Sequence, residues 1–284
     1  MVILVTGAAG QLGQAIQYVA PKYSSYKFLF ASSTDLDITN LEDVNVFFVK
    51  NDIDVCVNAA AYTAVDKAET DIEVAKLINE IGPKNLAIVC KKHNAKLIHI
   101  STDFVFDGNK SNPYLEDDIT NPINVYGKTK LAGEQEIINN TQEYYILRTS
   151  WVYSQFGNNF FKTMLRLSKE KEFLNIIADQ VGTPTNAVDL ANVILHISSK
   201  TTDISAYGIY NFSNEGSCSW FDFVNEIFRI YNISIPVNPI PTSQYPTPAQ
   251  RPKYSVMDKS KIKETFEIHI KSWQESLQQI AKIQ

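Results

Sequence analysis

Along the first half of the chain, short unbroken apolar runs alternate with longer stretches whose apolar residues recur at helical spacing. Val2-Ile3-Leu4-Val5, Lys27-Phe28-Leu29-Phe30-Ala31, Asp54-Val55-Cys56-Val57-Asn58, Lys96-Leu97-Ile98-His99-Ile100 and Tyr145-Ile146-Leu147-Arg148 read as strands. Helices are expected from about Gln11, over 41–50, across 71–93 and over 126–139. Strands that stay apolar on both sides belong in a sheet covered on both faces, and strictly alternating strands and helices make that sheet parallel. The expected fold is α/β, a Rossmann-like doubly wound parallel sheet with a smaller mixed C-terminal lobe for substrate.

Beyond residue 150 the pattern loosens. Helices are expected over 160–169 and 188–198, strands at 175–178 and 208–212, and a helix capped by Ser219 that runs to Tyr231. The stretch 236–252 is rich in proline and reads as largely loop. Residues 1–148 are assigned to nucleotide binding, with returns of the chain near 175–200 and 235–258. The other segments of 149–284 are assigned to a substrate lobe.

Bulk properties narrow the partners. With 284 residues and a net charge of −5, the chain lacks the basic surface expected of a nucleic-acid binder. Cys56, Cys90 and Cys218 are odd in number and far apart, which gives neither a disulfide framework nor a zinc pattern. No apolar run reaches the roughly 18 to 20 residues of a membrane span. The apolar start runs into glycines without a basic region, unlike a secretion signal. A cytoplasmic location is expected. His93, His99, His196 and His269 are scattered and read as structural or exposed rather than as metal ligands.

The chemistry begins at Gly7-Ala8-Ala9-Gly10-Gln11-Leu12-Gly13, between the first strand and the first helix. Glycines in that context permit a tight turn and close backbone approach to a pyrophosphate, while the helix N-terminus offers free amides. Tyr126 and Lys130 stand four residues apart, on one helix face. An ammonium beside a phenol is expected to lower the tyrosine toward working pH. Thr102 follows the fourth strand, so it shares the sheet edge with the glycine loop.

The spacing Gly-x-x-Gly-x-x-Gly resembles the short-chain dehydrogenase/reductase superfamily. So do Asn58-Ala59-Ala60-Ala61, Ser101-Thr102-Asp103, and the Tyr126/Lys130 pair that follows. The resemblance implies NAD(P) binding and carbonyl reduction, in which Tyr126 supplies a proton, Lys130 tunes it and bonds the cofactor ribose, and Thr102 holds the carbonyl oxygen. Cofactor choice turns on the end of the second strand, where an acid would grip the ribose of NAD. Ser32-Ser33-Thr34 stand there, with Asp35 the nearest acid, which leans toward NADPH with NADH as the alternative. Asp37-Ile38 resembles the superfamily's adenine-contacting segment.

Longer blocks are similar to one family, dTDP-4-dehydrorhamnose reductase. These are residues 10–13, 58–69, 101–108, 126–134, 148–153, 179–185 and 208–210, with Arg251-Pro252, Ser255 and Asp258. The resemblance implies reduction of the 4-keto group of dTDP-4-dehydro-L-rhamnose, with Ala61, Tyr62 and Thr63 at the cofactor and Thr102, Asp103 and Trp151 at the nucleotide-sugar. Arg251 is a candidate for the substrate diphosphate. Some members dimerise through Mg2+ held by glutamates, one on the first helix. Here Gln11-Leu12-Gly13-Gln14-Ala15-Ile16-Gln17 has no acid, which speaks against that metal and leaves monomer or homodimer open.

Two other readings stand beside reduction. A dehydratase needs an Asp-Glu pair after the threonine, whereas Phe104 follows Asp103; an epimerase would regenerate its cofactor. A non-catalytic NADP-binding subunit, like the regulator of methionine adenosyltransferase, would not need Thr102, Tyr126 and Lys130.

Overall fold

The computed structural model describes residues 1–200 and 204–282. Its first half runs β1 (Val2–Thr6), α1 (Gln11–Val19), β2 (Lys27–Ala31), α2 (Leu41–Asn51), β3 (Val55–Asn58), α3 (Val65–Ala68), α4 (Ile72–Lys76), α5 (Gly82–Lys92), β4 (Lys96–Thr102), α6 (Val125–Asn140) and β5 (Tyr144–Thr149). The second half adds β6 (Val152–Tyr153), α7 (Phe160–Glu170), β7 (Leu174–Ile177), β8 (Val181–Gly182), β9 (Thr185–Asn186), α8 (Ala187–Ser199), β10 (Gly208–Asn211), β11 (Cys218–Ser219), α9 (Trp220–Ile230), β12 (Val237–Ile240), α10 (Ser260–Phe266) and α11 (Trp273–Ala281).

Six strands form one parallel sheet in the order β10-β5-β4-β3-β1-β2. The direction of winding reverses between β1 and β3, so a crevice opens where Thr6 and Asn58 end their strands. The unbroken apolar runs now have a cause. Ile3, Val5, Val57, Ile98 and Leu147 face one layer, with Ala15 and Ile16 of α1 and Leu190 and Ile194 of α8. Leu4, Cys56, Leu97 and Ile146 face the other, with Val44 and Phe48 of α2 and Leu86 and Cys90 of α5. Alternate residues of each strand thus enter opposite cores, and every position must be apolar.

Two expectations hold with added detail. The stretch 71–93 is not one helix: α4 passes through a π-helical turn at Leu77–Ile81 before α5 begins. Pro83 has no amide to give the carbonyl four residues back, that of Asn79. That carbonyl instead lies against α6, where a Cβ on Gly133 would come within 2.1 Å of it. The proline-rich stretch is not all loop either. Val237–Ile240, including Pro239, pairs in parallel with β7 as a two-stranded ribbon, and such an edge tolerates a proline whose missing N–H faces away from its partner.

The second half mixes roles. β10 extends the main sheet beside β5, and α8 packs on α1. Tyr153, Phe161, Phe223, Phe228, Trp273 and Leu277 build a separate core of aromatic and aliphatic side chains. α9 starts as expected at Ser219, which forms a reciprocal capping box with Asp222.

Candidate active site

The glycine loop is shaped by close approach to the segment after β3. Gly7 has φ +66°, and a Cβ there would lie 2.6 Å from the Ala60 nitrogen. Only glycine fits both that backbone conformation and that gap. Gly10 then caps α1 without any side-chain cap. By helix geometry the amides of Gln11, Leu12 and Gly13 have no upstream carbonyl to bond. They point their N–H groups toward the crevice end, as an anionic pyrophosphate requires.

The side chain of Gln11 is engaged elsewhere. Its Nε2 donates to the Val152 carbonyl at 3.1 Å, and its Oε1 accepts from Ser154 at 3.1 Å and Asn159 at 2.6 Å. Gln11 therefore fastens the start of α1 to the segment after β6, and only its backbone is free for a cofactor.

At the end of β2, Asp35 accepts from the Ser32 amide at 2.8 Å and from its hydroxyl at 2.5 Å. These bonds hold the Asp35 carboxyl below its ordinary range and turn it into its own loop. Asp37 likewise accepts from the amide and hydroxyl of Thr39, at 2.9 and 2.7 Å. Ile38 is buried against Gly82, and its carbonyl takes a 3.0 Å hydrogen bond from Asn85. The 37–38 segment is thus pinned by Asn85, a residue the sequence reading did not single out.

Asn79 is a second such residue. From the π-helical turn its Oδ1 accepts the Tyr62 amide at 2.9 Å, and its Nδ2 donates to the Tyr62 carbonyl and to Thr129, both at 3.1 Å. One side chain so ties Ala61-Tyr62-Thr63 to the helix that carries Tyr126 and Lys130. An asparagine inside a helical stretch, just before Gly82-Pro83, was the available signal; π-turns are often found at functional sites. The Tyr62 hydroxyl, meanwhile, donates to Asp71 at 2.7 Å.

Thr102 ends β4. Its hydroxyl accepts the Phe104 amide at 3.2 Å, donates to Asp103 Oδ1 at 3.0 Å, and is a hydrogen-bond partner of the Tyr126 phenol. Asn124 caps α6 by accepting the Gly127 amide at 2.7 Å, and Phe104 packs edge-on against the Tyr126 ring at 5.6 Å. A Cβ on Gly127 would lie 2.2 Å from the Phe104 carbonyl, so glycine here is what lets α6 bring Tyr126 up to Thr102.

The expected lowering of Tyr126 is not what the structure shows. Burial pushes its phenol up to about 12, against a smaller opposing effect of the Thr102 hydrogen bond. Burial also pulls Lys130 down to about 8, partly offset by Glu134. Desolvation disfavours both charged forms, and the Lys130 amine bonds the Ile100 carbonyl at 2.7 Å and lies 3.1 Å from His99 Nε2. Burial likewise raises Asp103 to about 6, although Ser255 and Thr102 hydrogen-bond it. Behind this group, the buried pair of Glu134 and Arg148 closes at 2.7 Å, and Ser101 donates to Glu134.

Just past β5, whose last residue pairs with Thr102, Trp151 has φ +47° and stacks on Trp220, centroids 3.5 Å apart and planes 9° from parallel. Gly182 lies against the Trp151 indole: a Cβ on it would come 2.6 Å from the indole Cε2. Trp220 escaped the sequence reading, since its partner lies 69 positions earlier. Arg251 is not a free guanidinium. It grips Asp66 through two bonds at 3.0 and 2.7 Å and also bonds Thr247 at 2.6 Å. That pairing docks the 235–258 segment on α3 and lowers the Asp66 carboxyl. Among the described residues no group of three or more His, Cys, Asp or Glu could hold a metal ion, and no helix is long and apolar enough to cross a membrane.

The chain matches the RmlD substrate binding domain family over residues 1–284. It is 41% identical to the dTDP-4-dehydrorhamnose reductase of Aggregatibacter actinomycetemcomitans, covering 98% of this chain and 97% of that protein. It is 40% identical to that of Escherichia coli, over 96% and 95%. Among solved structures, a dTDP-4-dehydrorhamnose reductase of Clostridium acetobutylicum superposes with a TM-score of 0.95 at 44% identity, over 100% and 99% of the two chains. The NADP complex of the Bacillus anthracis enzyme does so with 0.95 at 39%, over the same shares. These likenesses settle the family: this chain belongs to the dTDP-4-dehydrorhamnose reductases.

Proposed function

We infer that the protein is an NAD(P)H-dependent oxidoreductase that reduces the 4-keto group of dTDP-4-dehydro-L-rhamnose to give dTDP-L-rhamnose. The observation that carries this reading is that Thr102 at the C-terminal end of β4 and Tyr126 and Lys130 on α6 are brought together, Phe104 packing edge-on against the Tyr126 ring and Gly127 lying against the Phe104 carbonyl. The glycine loop fits a dinucleotide, because its backbone is free where Gln11's side chain is not. Bound there, a reduced nicotinamide supplies the hydride to the sugar's carbonyl carbon.

The chain's own residues handle the oxygen. Thr102 holds the carbonyl by a hydrogen bond that strengthens as charge develops. A phenol near 12 is fully protonated at neutral pH, and it passes its proton to the more basic alkoxide, leaving a phenolate. The Lys130 ammonium stabilises that phenolate. The edge-on Phe104 occupies the position where a dehydratase would carry a glutamate. Ser32, Ser33 and Thr34 leave room for a 2′-phosphate, and the nearest acid is turned into its own loop. The NADP complex of the B. anthracis relative supports the same preference for NADPH.

For the second lobe, Trp151, packed between Trp220 and Gly182, is read as presenting an apolar edge to the nucleotide-sugar, with Asp103 bonded to Thr102 nearby. Arg251, held by Asp66, Thr247 and Ala249, is placed as a clamp between the 235–258 segment and the nucleotide-binding half.

The test is to mix purified protein, NADPH and dTDP-4-dehydro-L-rhamnose and follow loss of the reduced cofactor's absorbance, with GDP-linked keto-sugars in parallel. Sugar-dependent oxidation with the dTDP substrate is expected. None at ample enzyme sinks the reading.

A further inference from the structure

His99, one of four scattered histidines that read as structural or exposed, has a specific place in the structure. It is fully buried in β4, between Asn58 of β3 and Lys130 of α6. The Asn58 Nδ2 lies 3.0 Å from His99 Nδ1, and His99 Nε2 lies 3.1 Å from the Lys130 amine. The orientation of the Asn58 amide follows from its other partners. Its oxygen accepts from Thr6 at 2.7 Å and from the Ala60 backbone amide at 3.2 Å. A backbone N–H can only donate, so the oxygen must face Ala60 and the NH2 must face His99.

The consequence passes along the chain of bonds. An amide NH2 facing Nδ1 needs a lone pair there, so the neutral ring carries its one proton on Nε2. Burial and the adjacent lysine keep the ring neutral. Nε2–H then points at the Lys130 nitrogen. An ammonium has no lone pair to accept that hydrogen, and two donors would confront each other. The neutral amine accepts it and still donates to the Ile100 carbonyl.

We propose that His99, locked in the Nε2–H tautomer by Asn58, is a positioning residue that weakens Lys130's hold on its proton and so sets the pH at which the site loses its ammonium. Glu134 on the same helix opposes this, itself neutralised by Arg148 of β5. Tyr126 and Asp103 are the other titratable groups gathered at the start of α6. Thr6, Asn58, His99 and Lys130 thus form one polar line beneath the crevice, running from the end of β1 to the catalytic helix. The consequence for turnover rests on the role given to Lys130 above, whereas the tautomer and the titration do not.

Two measurements separate these. In protein labelled with 15N-histidine, long-range 15N–1H spectra are expected to show His99 neutral from about pH 6 to 9 with its proton on Nε2; an Nδ1–H tautomer overturns the proposal. In protein labelled with 13C-lysine, with Lys130 assigned by Lys130→Arg, the Lys130 midpoint is expected to rise by about one pH unit or more in His99→Phe. Should that variant fold poorly, Asn58→Asp serves: its carboxylate accepts from Nδ1–H, reverses the ring and presents a lone pair to Lys130, again raising the midpoint. An unchanged midpoint in a folded variant overturns the proposal. If the midpoint rises and the alkaline limb of kcat follows it, both readings stand. If the midpoint rises and that limb does not move, the network stands and Lys130's catalytic role falls.

Discussion

The two walls of the crevice are built differently. On the nucleotide-binding side, Gly7, the α1 amides, Thr102, Tyr126 and Lys130 are placed by strand ends and helix starts. Their positions follow from the parallel sheet itself. On the other side, Trp151, Trp220 and Arg251 are placed by side chains meeting across long stretches of sequence, from the turn after β5, the start of α9 and the loop after β12. The first wall positions by backbone and protects its charges by burial. The second positions by stacking and an ion pair at the edge of solvent. The contrast implies that changes on the first wall strike turnover and folding, while changes on the second strike recognition of the sugar.

The sharpest contrast is Tyr126→Phe. It removes the proton donor without altering the ring that packs on Phe104, so kcat is expected to fall by roughly a hundred- to ten-thousand-fold with cofactor affinity nearly unchanged. Titration of cofactor binding beside steady-state kinetics checks this, and near-normal turnover refutes the proton-donor role. Next is Arg148→Met, which leaves Glu134 buried without its partner. Breaking such a pair costs about 3–5 kcal/mol, to be read from denaturant unfolding. A loss under 1 kcal/mol would mean that Glu134 finds another partner.

Asp103→Asn tests the charge balance at the same wall. Its carboxyl lies near 6 in the fold against an ordinary value of 3.8, so the native state binds a proton more tightly than the unfolded chain. The stabilisation is fully present below about 3.8 and is lost as pH rises through about 6. The variant is therefore expected to gain relative to the parent between pH 4 and pH 7, by up to ~3 kcal/mol. A stability difference that does not change with pH contradicts this. The smallest effect lies on the opposite wall. Trp220→Ala removes the partner of Trp151, and aromatic pairs contribute about 0.5–1.5 kcal/mol beyond burial. KM for the nucleotide-sugar should rise a few-fold to about tenfold, with cofactor affinity unmoved. A loss of cofactor binding instead would break the division between the walls.

The same division explains what the sequence could show. The strands, the glycine loop and the Tyr126–Lys130 spacing are local patterns with a local cause, and they lie where the pattern puts them. Asn79, Asn85, His99 and Trp220 work through partners 17 to 69 positions away, and no periodicity marks such a pairing. The pKa of Tyr126 departs from the expected lowering for a related reason. Helical spacing gives the proximity of Lys130 but not the depth of burial, and burial decides the sign. Arg251 reads as a free cation until Asp66, 185 positions earlier, is seen in its grip.

The account rests on hydride reaching the sugar's carbon while Tyr126 protonates its oxygen. Reduced cofactor deuterated at both nicotinamide C4 positions, incubated with the protein and dTDP-4-dehydro-L-rhamnose, tests this most directly by NMR of the product. The prediction is dTDP-L-rhamnose with deuterium at carbon 4 of the sugar, formed by the parent protein and nearly absent with Tyr126→Phe. Protium at that carbon, or no reduced sugar at all, would contradict it.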